Sequence, residues 1–161
     1  MDASHKENRR STFEDLEVYQ LAREFRKAMY RVARRLPDTE KFALTNQIRR
    51  AAVSLTNNIA EAHGRYHYLD QTKFLRQARG SLQELIDGLN VCFDEQYLPV
   101  DELTSLKSQG WQVRQLIDGY VRYLRNQKNS MDTASVREMS SEYDNIEDVD
   151  GDSRLSIDEL R

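Results

Sequence analysis

The sequence predicts an all-α fold, an antiparallel up-down-up-down four-helix bundle followed by an acidic C-terminal tail. Three observations favour this fold class. The 161 residues include only two prolines and six glycines, which suits long helices rather than turn-rich β structure. Apolar residues recur at steps of three and four along four stretches, and short links separate those stretches. No alternating β pattern competes, so four helices joined by short links predict the bundle.

The second stretch, from Leu44 to Arg65, organises the others because it carries three different faces. An apolar stripe at helical spacing needs a hydrophobic partner and predicts a core face. A polar seam of amide, hydroxyl and carboxylate side chains runs beside that stripe. Asn46, Arg49, Arg50 and Asn57 form a basic outer face. The apolar stripe consists of Leu44, Ile48, Ala52, Leu55, Ile59 and Ala62.

Helix 1 is expected over residues 13–36, with a capping box formed by Ser11 and Glu14. Pro37 ends it, since proline cannot continue a helix. Asp38 or Thr39 then caps helix 2, which we expect to reach about His63. Gly64 is predicted to stop helix 2 in the left-handed conformation. The apolar stripe of helix 1 consists of Val18, Leu21, Phe25, Ala28 and Val32.

Helix 3 is expected to begin at a cap on Asp70 and to end near Gln96. Two adjacent apolar rows predict that it is buried over a wide arc. Tyr97 to Pro99 breaks the chain, and helix 4 is expected over residues 100–127. The rows of helix 3 are Phe74, Ala78, Ser81, Leu85, Gly88 and Cys92, and beside them Leu75, Leu82, Ile86, Leu89 and Phe93. The stripe of helix 4 is Leu103, Leu106, Gly110, Val113, Ile117, Tyr120 and Leu124.

Charge divides the chain into a mildly basic body and an acidic tail. Residues 131–161 hold ten acidic and three basic side chains, a net of −7, whereas residues 1–130 carry +4. We therefore expect a disordered N-terminus over residues 1–12, the bundle over residues 13–128 and the tail over residues 129–161. The N-terminus lacks the apolar run of a secretory signal, and no stretch resembles a membrane span. Cys92 is the only cysteine, so no internal disulfide is possible, and a reducing cytoplasmic location is expected. Cys92 itself is predicted to be a buried small hydrophobe.

Several motifs, specific in order and spacing over about residues 13–126, resemble one known family. This is the four-helix-bundle family named for the protein encoded in intervening sequences of bacterial 23S ribosomal RNA genes. The resemblance implies a four-helix bundle, assembly into homopentameric rings, and kinship with retroelement accessory proteins that bind nucleic acid and a reverse transcriptase. The motifs are Phe13-Glu14-Asp15-Leu16, Val18-Tyr19, Ala22, the run from Leu44 to Ser54, Asn58-Ile59-Ala60-Glu61, Phe74-Leu75, and the run from Gly80 to Leu85.

The polar seam admits a structural and a catalytic interpretation. Paired carboxylates perform acid–base catalysis only when they are positioned together with separated pKa values. No histidine, cysteine or phosphate loop converges with the seam, so we expect a buried network that fixes helix register and a subunit interface. His63 and His67 supply only two metal ligands, which makes a weak site. No enzyme activity is therefore predicted. The seam consists of Gln47, Ser54, Asn58, Glu61, Ser81 and Glu84.

Arginines on outward arcs predict a nucleic-acid surface, because a guanidinium group matches phosphate geometry with two hydrogen bonds. Tyr66 and Tyr68, beside Arg65, are candidates for stacking on bases. The alternative is a salt-bridged helix surface, since acidic residues interleave with these arginines. A ring of subunits would multiply a modest charge per chain. The candidate residues are Arg23, Arg26, Arg49, Arg50, Arg65, Arg76, Arg79, Arg122 and Arg125.

The tail contains a stretch, residues 148–159, that resembles an EF-hand calcium loop. Oxygen-bearing side chains stand at positions 1, 3, 5, 9 and 12, and a backbone carbonyl is expected at position 7. Ser153 occupies position 6, where the loop normally has glycine. The alternative is a disordered acidic tail, and a lone loop would bind weakly unless two loops paired between subunits. The candidate ligands are Asp148, Asp150, Asp152, Arg154, Ser156 and Glu159.

Taken together, the sequence predicts a non-enzymatic, cytoplasmic, homo-oligomeric bundle that acts as an adaptor and binds RNA or DNA. The alternative is a calcium-responsive scaffold that uses the tail as its sensor. No cofactor is required, and Ca²⁺ is the one metal ion that the sequence suggests.

Overall fold

The computed structural model of the chain describes residues 12–147, with side chains as far as residue 134. These residues form four α-helices: α1 at Glu17–Arg35, α2 at Leu44–His63, α3 at Tyr68–Asp94 and α4 at Val100–Glu147. Short 3-10 helices occupy Phe13–Asp15 and Asp38–Glu40. The described part of the chain contains no β-strand, which confirms the all-α prediction. Most of the predicted N-terminal segment and the EF-hand-like loop lie outside the described residues.

The predicted start of helix 1 at Phe13 is wrong, because a 3-10 turn comes first. Leu16 is extended, with φ −71° and ψ 127°, and separates that turn from α1. The capping bond lies one residue later than predicted: Thr12 N donates to Asp15 Oδ2 at 2.8 Å. Thr-x-x-Asp has the same cap spacing as Ser-x-x-Glu, so sequence alone did not separate them. Ser11 lies outside the described residues.

The predicted caps of helices 2 and 3 are also wrong. Asp38 lies in a 3-10 turn, and α2 begins six residues later. Glu40 supports that start, since its carboxylate accepts hydrogen bonds from Leu44 N at 3.3 Å and from the Tyr97 hydroxyl at 3.2 Å. Asp70 lies within the first turn of α3, where a negative charge interacts favourably with the helix dipole, and His67 is the N-cap residue.

The left-handed helix stop occurs after α3 rather than after α2. Gly64 has φ −76°, and its N–H group bonds to Ala60 O at 3.2 Å, so α2 ends without a left-handed residue. Gln96 has φ 61° and is the only described residue other than glycine with positive φ. Tyr97 N donates to Cys92 O at 2.7 Å across it, which is the Schellman pattern.

The hydrophobic core is built from the predicted stripes. Ile48, Leu55 and Ile59 of α2 are buried, and so are both apolar rows of α3 apart from half-buried Phe74 and exposed Phe93. Gly110 lets α4 approach its neighbours closely. A Cβ atom there would lie 2.6 Å from Ile86 Cδ1 and 3.3 Å from Phe25 Cζ. Close packing of this kind makes the core sensitive to added volume.

Helix α4 is 20 residues longer than predicted, and the expected end near Gln127 is wrong. No proline or glycine follows Gly119 until Gly151, so nothing in the backbone chemistry stops the helix there. Residues up to Leu124 belong to one compact unit, and residues from Arg125 onward belong to a second. In the second unit the described side chains, residues 125–134, are all exposed.

Candidate nucleic-acid interface

A basic groove runs between α1 and α2, and we call it the α1/α2 groove. Half-buried Tyr30 and Val53, which is 37% exposed, line both of its hollows, and we call these two side chains its floor. Cationic side chains of both helices line the hollows as well, and we call them its walls. The cations are Arg26, Lys27, Arg31, Arg34, Arg49 and Arg50.

No acidic residue stands within the two chain segments that build this groove. Residues 25–35 and 44–60 contain no aspartate or glutamate. The adjacent Glu24 forms an ion pair with one groove cation, since Lys27 Nζ lies 2.7 Å from Glu24 Oε1. That hydrogen bond lowers the pKa of the Glu24 carboxyl, and the charges of Lys27, Arg23 and Arg31 lower it further. The groove therefore concentrates positive charge that its own segments do not neutralise.

Two of the arginines are positioned by contacts with a side chain of the opposite helix. Arg26 Nη1 donates to Thr56 Oγ1 at 2.8 Å, and Thr56 is buried. The Arg49 guanidinium carbon lies 6.0 Å from the centre of the Tyr30 ring, which is the outer limit of a cation–π contact. Such contacts reduce the side-chain entropy that would be lost when an anion binds.

The groove consists of two hollows that share Tyr30 and Val53. One hollow, of about 440 Å³, extends along α2 past Arg49 and Arg50 to Asn57 and Asn58. The other, of about 470 Å³, extends along α1 and is lined by its cations. Both fall within the size range of small-molecule sites.

A second groove lies between α3 and α4, and we call it the α3/α4 groove. Arg76, Arg79 and Arg122 line it together with Asp118 and apolar side chains. Asp118 is paired twice: Arg79 Nη1 lies 3.4 Å from its Oδ1, and Arg114 Nε lies 3.7 Å from its Oδ2. One of the arginines predicted here, Arg79, is therefore paired with an acidic residue of the same groove.

The remaining predicted arginines do not join either groove. Arg65 is paired with Glu61 and lies 4.9 Å over the Phe74 ring. Arg23 is exposed on α1, and Arg125 is exposed in the second unit. The predicted set lacked several residues that line the α1/α2 groove, namely Lys27, Tyr30, Arg31, Arg34 and Val53. The signal that would have found the cations among them is their place in residues 25–35, a part of α1 without acidic residues. Tyr30 lies four residues after Arg26, on the same side of the helix.

Hydrogen bonds connect the residues in the middle of the polar seam, whereas the residues at its ends are exposed. Ser81 Oγ lies 2.8 Å from Ser54 Oγ, which links α3 to α2, and Asn58 Nδ2 donates to Ser54 Oγ at 3.1 Å. Only Ser81 of the six is buried. Gln47, Glu61 and Glu84 are exposed in the single chain, so the predicted buried network does not include them there. Gln47 and Glu84 line an open groove beside Ser54 and Ser81 instead.

The described side chains contain no cluster of three or more His, Cys, Asp or Glu residues that would hold a metal ion. Cys92 is fully buried, which confirms its prediction as a small hydrophobe. Burial, aided by the charge of Glu40, raises the pKa of its thiol to about 11. A thiol with such a pKa is a poor nucleophile near neutral pH. The predicted calcium ligands, Asp148 to Glu159, lie outside the described residues.

Within residues 12–147, no helix combines the length and the apolar character that crossing a membrane requires.

The fold and the groove define a four-helix, all-α protein with a basic surface groove. The sequence profile of the family described as 23S rRNA-intervening sequence protein matches residues 14–119. The chain belongs to this family, which confirms the resemblance found in the sequence. No curated protein matches the chain.

One solved structure with a similar fold is a crystal structure from Bacteroides thetaiotaomicron VPI-5482, described as a protein with unknown function from the S23 ribosomal protein family. It is 21% identical to this chain and superimposes with a TM-score of 0.61. The match covers 65% of this chain and 95% of the other. At this identity the similarity extends to the fold alone.

Proposed function

We propose that the protein is a non-enzymatic adaptor that binds RNA or DNA through the α1/α2 groove. The observation that carries this proposal is the set of six cations on two facing helices whose groove-forming segments contain no acid. Arginine can bind a phosphate with two parallel hydrogen bonds, and several arginines in a row follow a phosphate backbone.

The arrangement of the helices supports the groove as a fixed surface. We infer an up-down-up-down bundle, because contacts between neighbouring helices run in opposite directions along the chain. Ser54 of α2 contacts Ser81 of α3, whereas the earlier residue Ile48 lies against the later residue Gly88. Rigid helices hold charged side chains at fixed spacing, which binding sites on loops do not achieve.

Assembly of several chains would strengthen binding at a modest charge per chain. Three large apolar side chains are strongly exposed: Phe42 at 87%, Tyr66 at 98% and Leu69 at 73%. Exposed apolar side chains of this size favour contact with another protein surface, and we propose a second copy of this chain. The family resemblance implies a pentamer. A light-scattering mass equal to one chain would contradict a homo-oligomer.

Fluorescence anisotropy of a labelled 20-nucleotide RNA at about 50 mM salt tests the binding proposal. Arg49→Gln/Arg50→Gln removes two groove cations and is expected to weaken binding about tenfold and to flatten the salt dependence. The matched control, Arg76→Gln/Arg79→Gln, removes the same charge from the α3/α4 groove and is expected to have a smaller effect. Absence of binding by the unchanged protein would refute the proposal, as would equal losses in both double variants.

A calcium-responsive scaffold is the second candidate, and one structural observation favours it. Helix α4 extends through Glu147, directly before Asp148, and an EF-hand also has a helix before its calcium-binding residues. Isothermal titration calorimetry with CaCl₂ is expected to show heat that Asp148→Ala abolishes. A titration without heat, or one that this substitution leaves unchanged, would remove the candidate.

A further inference from the structure

The floor of the α1/α2 groove is apolar, although its walls are cationic. Val53 exposes 37% of its surface between the two hollows, and the ring of Tyr30 is only half-buried beside it. Contacts with phosphate require cations and hydrogen-bond donors but no apolar surface. Exposed apolar atoms in the middle of a basic groove therefore indicate a ligand that has an apolar face as well as negative charge.

Nucleic-acid bases have such a face, but they expose it only when they are unpaired. In a duplex the base faces are stacked inside, and only base edges and phosphates are accessible. In a single strand every base presents an apolar face that stacks on aromatic side chains. Only a single strand can thus use the floor and the walls of this groove together.

We propose that the α1/α2 groove selects single-stranded nucleic acid. The strand's phosphates lie along Arg26, Arg49 and Arg50, and bases occupy the two hollows on either side of Tyr30 and Val53. Asn57, at the end of the α2 hollow, presents amide groups to a base edge. This inference rests on the proposed nucleic-acid binding and adds the class of ligand.

Electrostatics alone predicts the opposite preference, which makes the inference testable. A duplex carries one charge per roughly 1.7 Å of its axis, with both strands counted, so a groove that binds only by charge favours the duplex. A preference for the single strand requires a contribution that is not electrostatic. In this groove, Tyr30 and Val53 are the side chains placed to supply it.

The experiment compares one labelled 20-nucleotide RNA of mixed sequence, as a single strand and annealed to its complement, with the full chain. We expect the single strand to bind at least fivefold more tightly. Tyr30→Leu and Val53→Asn leave the net charge unchanged and are each expected to weaken single-strand binding about fivefold, with duplex affinity and salt slope unchanged. Arg49→Gln is expected to weaken both ligands and to lower the salt slope by about one.

Two variants serve as controls for this experiment. Tyr30→Phe keeps the ring and is expected to keep the preference. Tyr123→Leu removes an exposed aromatic ring that lies outside the groove, and no change is expected. Circular dichroism melting establishes that each variant is folded, and Val53→Asn remains informative if Tyr30→Leu does not fold, because Val53 is exposed.

Different outcomes separate failure of this inference from failure of the proposed function. The single-strand inference is overturned if the duplex binds as tightly as the single strand or more tightly, and if neither floor variant changes the ratio of the two affinities. Nucleic-acid binding then remains intact. A lower light-scattering mass for Val53→Asn, with the ratio unchanged, assigns the floor to contact between copies of the chain and also overturns it. Absence of binding to both ligands refutes the proposed function itself.

Discussion

The α1/α2 groove and the α3/α4 groove are both lined by arginines from two helices, yet they differ in charge balance. In the α3/α4 groove, Asp118 lies 3.4 Å from Arg79 and 3.7 Å from Arg114. In the α1/α2 groove, neither groove-forming segment contains an acid, and the adjacent Glu24 forms an ion pair with one of the six cations, Lys27. Exposed ion pairs of the first kind contribute little to stability, but they reduce the positive potential that a phosphate meets. The number of arginines is therefore a poor guide to the positive potential of a groove, because that potential also depends on the acidic residues among them.

The largest expected effect comes from the close packing of α4 against α1 and α3. Gly110→Leu forces side-chain atoms against Ile86 and Phe25, and we expect it to lower the free energy of unfolding by roughly 2–3 kcal/mol. Gly80→Leu is the matched control: a Cβ at Gly80 meets nothing within 4 Å, so the better helix propensity of leucine should raise stability by roughly 0.5–1 kcal/mol. Urea unfolding measures both. Equal effects of the two substitutions would contradict the close packing at Gly110.

Stability at alkaline pH limits the pH range in which RNA binding by the two grooves can be compared on folded protein. The folded pKa of Cys92, about 11, lies above its ordinary value of 9.0. Between these values the unfolded chain has lost the proton that the folded chain keeps, so stability falls as pH rises, by about 1.4 kcal/mol per pH unit. Urea unfolding at pH 8 and pH 10.5 should show a steeper loss for the unchanged protein than for Cys92→Ala. Parallel losses would mean that the thiol titrates normally in the folded state.

The comparison is sharpened by placing an acid in the groove that lacks one. Asn57→Asp adds a carboxylate of nearly the same shape to the α2 hollow. At about 4 Å in water a unit charge repels a phosphate by about 1 kcal/mol, so RNA affinity is expected to fall about fivefold. Anisotropy titrations at low and high salt measure the change. A loss that persists undiminished at high salt would indicate a structural cause instead.

The reciprocal change, Asp118→Asn, is expected to have the smallest effect. It removes the acid that pairs with Arg79 and Arg114, so that arginines are the only charged side chains left lining the α3/α4 groove. RNA affinity should rise about twofold, because the α3/α4 groove gains one unit of positive net charge. If Asp118→Asn strengthened binding more than Asn57→Asp weakened it, the α3/α4 groove would be the principal site.

Periodicity predicted the core but not the helix ends. Ile48, Leu55 and Ile59 are buried as their spacing required, since an amphipathic helix must cover its apolar side. Gly64 was expected to be left-handed, but Gln96 takes that conformation after α3. Helix ends depend on small differences between competing caps, each contributing about 1 kcal/mol, and tertiary contacts such as the Glu40–Tyr97 hydrogen bond contribute free energies of similar size.

The candidate site was predicted only in part. Arg26, Arg49 and Arg50 were named from the sequence, and the structure brings them together. Arg65 and Arg79 were named on the same grounds, but their acidic partners lie four and 39 residues away. A helical repeat gives the side of a helix on which a charge lies. It does not give the charges that a second helix places opposite.

The sequence by itself determined the four helices, their apolar faces and the family, because these follow from the order of residue types along the chain. Only the tertiary structure decided which cations share a groove, which of them meet an acid, and that Tyr30 and Val53 form a floor between them. Those properties depend on distances between residues far apart in the chain. Electrostatic and stacking free energies vary with such distances, and spacing along the sequence leaves them unspecified.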